Sequence, residues 1–140
     1  MIGILFFLAL APTVHASMPC TDYSGIYQGS DEVTLTVVQV DCLSAKFNYK
    51  SPAETITSPM TFDGVMRKTA LVDGVTNYEA ATFQYGGIIA IEGENHFMDK
   101  VMKYERKISL VENHTLLDEI GHFTNGGDFV HQTQAVYVRK

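Results

Sequence analysis

The sequence predicts an all-β domain whose strands form an antiparallel up-and-down meander, and three observations carry that prediction. Turn-forming residues recur at intervals of about 8–13 residues, which is the spacing of sequential short strands. The segments between them are rich in β-branched and aromatic residues. No stretch of about ten residues shows the 3.6-residue periodicity of a helix. The turns expected from this chemistry include Ser51-Pro52, Asp63-Gly64, Asp73-Gly74, Gly86-Gly87, Gly93-Glu94-Asn95 and Gly126-Gly127.

Alternation of apolar and polar residues defines the individual strands. The segment from Val33 to Val40 is β-branched and partly alternating, and the segment from His96 to Val111 is the clearest case. Period two over that length predicts a strand with one buried and one wet face. The apolar parity of that segment contains Met98, Met102, Tyr104, Ile108 and Leu110.

About 8–10 such strands must bury an inner face and protect their edges. Closure into an up-and-down barrel does both. A two-sheet β-sandwich needs the same alternation with different connections and remains the alternative. The succession of tight turns favours the barrel.

The N-terminal residues have the pattern of an export signal. The run from Ile2 to Ala11 is apolar and too short for a membrane span, and Pro12 follows it. Val14-His15-Ala16 fits a signal-peptidase site, although no Lys or Arg precedes the apolar run. We therefore expect a signal peptide over 1–16 and a single secreted or periplasmic domain over 17–140, with no integral membrane segment after cleavage.

The charge of the chain argues against one class of partner. All Lys, Arg, Asp and Glu residues lie after residue 16, and the formal net charge is −6. A net acidic domain without a basic stripe is unsuited to nucleic acid, because contacts from Lys and Arg to phosphate dominate that affinity.

Two cysteines remain, Cys20 and Cys42. An isolated pair in an oxidising compartment forms a disulfide in most cases. Lipidation of Cys20 is disfavoured by Pro19 just before it, and a thiolate metal site would need more Cys or His nearby. The sequence predicts a Cys20–Cys42 disulfide.

Both ends of the chain resemble the lipocalin-like (calycin) β-barrels. Gly25-Ile26-Tyr27 is similar to their N-terminal Gly-x-Trp element, with Tyr27 in place of tryptophan. The last strand, which contains Arg139, is similar to their final strand, which supplies a cation that packs on that aromatic ring. The resemblance covers the two ends alone. It implies a lipocalin-like barrel and a ligand-binding habit.

The leading functional hypothesis is a non-enzymatic, lipocalin-like domain that binds a small, mostly apolar molecule at one barrel mouth. Methionine adapts to irregular apolar shapes, and tyrosine suits a partly polar pocket. The same residues also suit a filled core. In that alternative, the domain is an interaction or inhibitor module that binds an extracellular protein through its surface. The predicted ligand-binding residues are Tyr49, Phe62, Met98, Met102 and Tyr104.

A third hypothesis is a metal-dependent enzyme that uses His122 and His131. If Gly126-Gly127 forms a two-residue hairpin turn, His122 faces His131 directly, whereas a three-residue loop would place the two on opposite faces. Two imidazoles at cross-strand distance could share a transition metal, with Asp118 on the same parity as a further ligand. The ligand set is incomplete, so no cofactor is expected. No motif for nucleophilic, paired-carboxylate or phosphate chemistry is found in the sequence, and we expect no enzyme.

Overall fold

The computed structural model describes residues 20–140, with all their side chains except those of residues 70–72 and 113. The predicted leader lies outside the described residues. The prediction of an all-β antiparallel meander is confirmed, with ten strands in one sheet. The strands are β1 (Gly25–Gln28), β2 (Thr34–Val40), β3 (Ser44–Lys50), β4 (Thr55–Thr61), β5 (Arg67–Val72), β6 (Val75–Gln84), β7 (Ile88–Phe97), β8 (Lys100–Val111), β9 (Thr115–Thr124) and β10 (Phe129–Arg139).

The strand order is β4-β3-β2-β1-β10-β9-β8-β7-β6-β5, so the pairing of β1 with β10 joins the two ends of the chain. Within the described chain β4 and β5 are not paired with each other, and the sheet ends at these two strands. The segment after β4 nevertheless reaches β6. Asp63 forms an isolated bridge with Thr82, and the Gly64 amide donates to the Ala81 carbonyl at 2.9 Å.

The sheet curls around one hydrophobic core on its inner face. Tyr23, just before β1, places its hydroxyl 2.5 Å from the Gly87 carbonyl and 2.9 Å from the Ile108 carbonyl. These bonds connect the N-terminal segment to β8 and to the turn before β7. Buried phenols need such partners, and Tyr23 finds them in backbone oxygens. The fully buried side chains of the core are Tyr23, Tyr27, Leu35, Phe47, Ile89, Ile91, Ile108 and Leu116.

The single strand predicted between His96 and Val111 is divided between two strands in the structure. The segment from His96 to Val111 contains a turn at Met98 and Asp99, which ends β7 and precedes β8. Met98 adopts a φ of 53°, a left-handed backbone conformation that fits a turn and not a regular strand. The predicted turn at residues 93–95 lies instead inside β7, where Gly93 pairs with Glu79. Local turn chemistry is overridden there by pairing on both sides of the strand.

The disulfide is confirmed: Cys20 is bonded to Cys42, with 5.5 Å between their Cα atoms. It ties the segment before β1 to the turn between β2 and β3. No helix within residues 20–140 has the length and apolar character needed to cross a membrane.

The aromatic–cation contact expected at the chain ends is present. The Arg139 guanidinium lies 5.3 Å from the centre of the Tyr27 ring, and its Nη2 donates to the Tyr27 hydroxyl (3.1 Å) and to the Ser24 carbonyl (2.6 Å). These contacts hold β10 against β1, where only two residue pairs form the ladder.

Candidate ligand-binding site

The inner face of the sheet changes from apolar to polar toward the end of β8 that begins at Lys100. Going along β8 from the core, the inward residues are Ile108, Arg106, Tyr104 and Met102. Ile108 is fully buried, Tyr104 is nearly so, and Met102 is 39% exposed. The interior therefore has a sealed apolar end and an accessible end with hydrogen-bonding groups.

A buried ion pair lies between these two ends. Arg106 donates from Nε and Nη2 to the two carboxylate oxygens of Asp118, at 2.8 and 2.6 Å. Arg106 Nη2 also donates to the Tyr49 hydroxyl at 2.6 Å. Because Tyr49 is on β3 and Arg106 on β8, this bond crosses the interior. Burial raises the pKa of Tyr49 to about 12, so its phenol is neutral at physiological pH.

A second polar cluster is centred on Tyr104, nearer the accessible end. The Tyr104 hydroxyl donates to Glu79 Oε1 at 2.6 Å and accepts from Asn77 Nδ2 at 2.7 Å. Asn77 Nδ2 also donates to Asn95 Oδ1 at 2.9 Å, and Thr69 Oγ1 donates to Asn77 Oδ1. Burial, followed by the negative charge of Glu79, raises the pKa of Tyr104. The phenol therefore keeps the proton that it donates.

Gly93 provides the space for the Tyr104 ring. Gly93 is directly opposite Tyr104 in the β7–β8 pairing, and a Cβ at this position would overlap the ring. A glycine inside a strand commonly marks such a close approach. The missing side chain lets the ring lie over Gly93 of β7, so that its hydroxyl reaches Glu79 on β6.

A cavity of about 420 Å³ opens on the inner face at the accessible end. We call it the rim cavity; it is lined by Val75, Asn95, Phe97, Lys100, Met102 and His122. Its walls are mainly apolar, and Phe97 is 42% exposed. Asn95 connects it to the Tyr104 cluster. The volume lies within the range of roughly 300–1,000 Å³ typical of small-molecule sites.

His122 and His131 face each other, as predicted. The prediction assumed a two-residue turn at Gly126-Gly127, and the observed turn is different. Their ring centres are 4.3 Å apart, and the two ring planes are nearly parallel, with an interplanar angle of 15°. The hairpin loop is closed by the Thr124 amide, which donates to the Asp128 carbonyl at 2.8 Å, leaving three residues inside it. Such a loop would separate the histidines. A bulge between Phe129 and His131 shifts the register back and brings them together.

The structure gives the metal hypothesis no third ligand in the part of the chain that it describes. Within residues 20–140, no group of three or more His, Cys, Asp or Glu side chains is arranged to hold a metal ion. Asp118 is engaged by Arg106 rather than directed at the histidines. Burial, followed by the charge of His131, lowers the pKa of His122.

The five predicted ligand-binding residues do not share one site. Met102 lines the rim cavity, and Tyr104 lies just below it in the polar cluster. Tyr49 lies deeper, bonded to Arg106. Phe62 packs against the core, 5.5 Å from the Phe83 ring centre. Met98 is 88% exposed in the β7–β8 turn, outside the rim cavity.

Sequence reasoning named Asp118 but missed two other charged residues of the interior, Arg106 and Glu79. Arg106 has the same parity as Tyr104 and Ile108, so alternation places it on the buried face. A charge at a buried strand position is the signal that could have revealed the site, because such groups are almost always paired or functional. Glu79 had no comparable signal, since its strand shows weak alternation.

No family model and no curated protein matches the chain.

Proposed function

We propose that this domain binds a small, mostly apolar molecule at the accessible end of its inner face. The observation that carries the proposal is the rim cavity, which is open to solvent, has mainly apolar walls and ends on polar groups. Val75, Phe97 and Met102 provide apolar contact area, and Asn95 provides hydrogen-bonding capacity. A few placed polar groups in an otherwise apolar concavity are typical of ligand sites.

The proposal includes a lipocalin-like organisation and export. β4 and β5 are the two edge strands of the sheet and are not paired with each other. The bridge from Asp63 to Thr82 lies at the gap between them. We propose that the sheet curls into a lipocalin-like barrel whose edge strands β4 and β5 face each other across this gap, with the Tyr27–Arg139 contact at its sealed end. The Cys20–Cys42 disulfide is compatible with an oxidising compartment and supports secretion or a periplasmic location.

A matched pair of methionine variants tests the site. The chain over 17–140 is titrated with the neutral fluorophore N-phenyl-1-naphthylamine, whose emission rises in an apolar site. Met102→Lys places a charge in the rim cavity and lowers the affinity about tenfold or more, because the ammonium must be desolvated or the probe excluded. Met98→Lys makes the same change at an exposed turn and leaves the affinity unchanged.

Equal affinities for the two variants, or no binding by the unaltered protein, would overturn the proposal. A native mass spectrum of the protein secreted by its own host then tests for a natural ligand that remains bound. Extra mass that disappears on denaturation gives its size.

The outer face favours a second candidate, an interaction module. Ile26, Val38, Val136 and Val138 are each about half exposed on the outer face of the adjacent strands β2, β1 and β10. Clustered exposed apolar residues commonly mark protein contacts. A second polypeptide in the native spectrum that is lost in Val138→Lys supports this candidate, and its absence argues against it.

A further inference from the structure

The gap between β4 and β5 forms a cleft with its own chemistry. We call it the seam cleft; it measures about 180 Å³. It is lined by Pro59, Met60, Thr61, Val65, Arg67, Lys68, Thr69, Glu79 and Ala81. None of these residues lines the rim cavity, so the two sites are separate.

Glu79 is the unusual group in this cleft. It is half-buried on the inner face of the sheet, where a carboxylate is costly unless something compensates its charge. Its Oε1 accepts the hydrogen bond from Tyr104, while Oε2 has no hydrogen-bond partner among the described residues. Glu79 also forms no ion pair with any residue in the described range.

Within the described residues, no neighbouring cation forms an ion pair with Glu79. Arg67 is opposite Glu79 in the β5–β6 pairing, but its guanidinium is held by both carboxylate oxygens of Asp63, at 2.7 and 2.6 Å. Lys68 also lines the cleft, but it is exposed and forms no ion pair with Glu79 among the described residues. Inside the sheet, Arg106 forms its ion pair with Asp118, and its charge also acts on Glu79 without a direct contact. Glu79 therefore has no direct ion-pair partner within the described residues, and its carboxylate borders the seam cleft.

We propose that the seam cleft binds a small organic cation, specifically a primary ammonium group on a compact apolar body, with Glu79 as its counter-ion. Glu79 Oε2 accepts one ammonium proton, and the Thr69 hydroxyl, which donates to Asn77, has lone pairs free to accept another. Pro59, Met60 and Ala81 provide an apolar wall. An engineered apolar cavity of roughly 150 Å³ holds benzene, so the seam cleft suits a molecule of about that size or slightly larger.

Calorimetric titration of the chain over 17–140 with three matched probes tests the charge preference. Benzylamine is a cation at pH 7, benzyl alcohol has the same shape without charge, and benzoate is an anion. We expect benzylamine to bind at least about tenfold more tightly than benzyl alcohol, and benzoate not to bind, because the charge-assisted bond to Glu79 is available only to the cation. Similar affinities for the amine and the alcohol would overturn the proposal, and this comparison needs no variant.

Glu79→Gln then assigns the effect to one side chain. Its amide oxygen can still accept from Tyr104, so the substitution removes the charge and keeps the hydrogen bond. We expect it to reduce the benzylamine affinity to that of benzyl alcohol. Glu92→Gln makes the same charge change at an exposed position of β7 and leaves the affinity unaltered. Equal losses in both variants would show a non-specific effect of net charge and refute the site.

Amide shifts in a nuclear magnetic resonance titration separate this site from the rim cavity. Benzylamine should move the Thr69 and Ala81 signals, whereas N-phenyl-1-naphthylamine should move those of Asn95 and Phe97. The two proposals can then fail independently. Benzylamine shifts confined to Asn95 and Phe97 would overturn the seam site without affecting the rim site.

Discussion

Replacing Asp118 by asparagine should destabilise the domain severely, because it leaves a buried guanidinium without its counter-charge. Asp118 is 4% exposed, and the Arg106 side chain with which it pairs is 11% exposed, so the ion pair is largely buried. Asparagine has nearly the same shape, so the substitution changes charge and hydrogen bonding with little change in packing. Arg106 would keep its bond to Tyr49 and at most one good acceptor at residue 118.

The expected loss is about 3–5 kcal/mol in the free energy of unfolding, the usual cost of removing one partner from a buried pair. The bonds in the structure give a similar figure. Two charge-assisted hydrogen bonds are weakened or lost, each contributing roughly 1.5–3 kcal/mol. Against a total stability of roughly 5–15 kcal/mol for a domain, the variant would be close to unfolding.

Urea denaturation at pH 7, followed by circular dichroism, measures the loss. Asp63→Asn is the control, because Asp63 and Arg67 form a similar forked pair on the surface. Solvent screening makes the contribution of such a pair to the free energy of unfolding much smaller. The double variant Arg106→Met with Asp118→Leu should recover most of the stability, since neither charge then remains buried. A loss below about 1 kcal/mol for Asp118→Asn, or a double variant no better than the single one, would refute the reasoning.

Three further predictions concern stability. Cys42→Ser removes the disulfide to Cys20 and should cost about 3 kcal/mol in urea denaturation, the loop-entropy value for a sequence separation of 22; an unchanged midpoint would contradict it. Gly93→Ala should cost roughly 1–3 kcal/mol, because its methyl group overlaps the Tyr104 ring; unaltered stability would show that the ring has room to move. Burial raises the pKa of Tyr49 from 10.0 to about 12, so the folded protein retains a proton that the unfolded chain releases. The resulting stabilisation is complete below pH 10 and is lost as the pH rises toward 12; thermal melts at pH 9, 10 and 11 check this, and a constant melting temperature would contradict it.

Much of the fold follows from the sequence because the meander depends on local rules. Turn residues and alternation specify hairpins between neighbouring strands, and all but one of the strand pairings are of this kind. The position of one turn was wrong for a physical reason. Asn95 has turn chemistry, but strands on both sides satisfy its backbone, whereas Met98 has no turn propensity and adopts the required φ. Pairing outweighed local preference at both positions.

The site was less accessible to sequence reasoning, because its contacts join strands distant in the chain. The bond from Arg106 to Tyr49 depends on how far the sheet curls, and alternation gives the face of a residue without its depth. Alternation therefore placed Met102 and Tyr104 on the inner face. It could not show that Phe62 packs into the core, nor that Glu79 borders a gap between two unpaired strands.

The pairing between β1 and β10 also has a consequence for the order in which the protein is made. Every other pairing joins strands that follow one another, so hairpins from β1 onward can form as the chain emerges from the ribosome. The contact of Tyr27 with Arg139, 112 residues later, waits for the last strand to be synthesised. Until then Tyr27 and the short strand β1 lack one of their two neighbours. The pairing of β10 with β1 therefore completes the order of strands in the sheet, and it can form only after β10 has been synthesised.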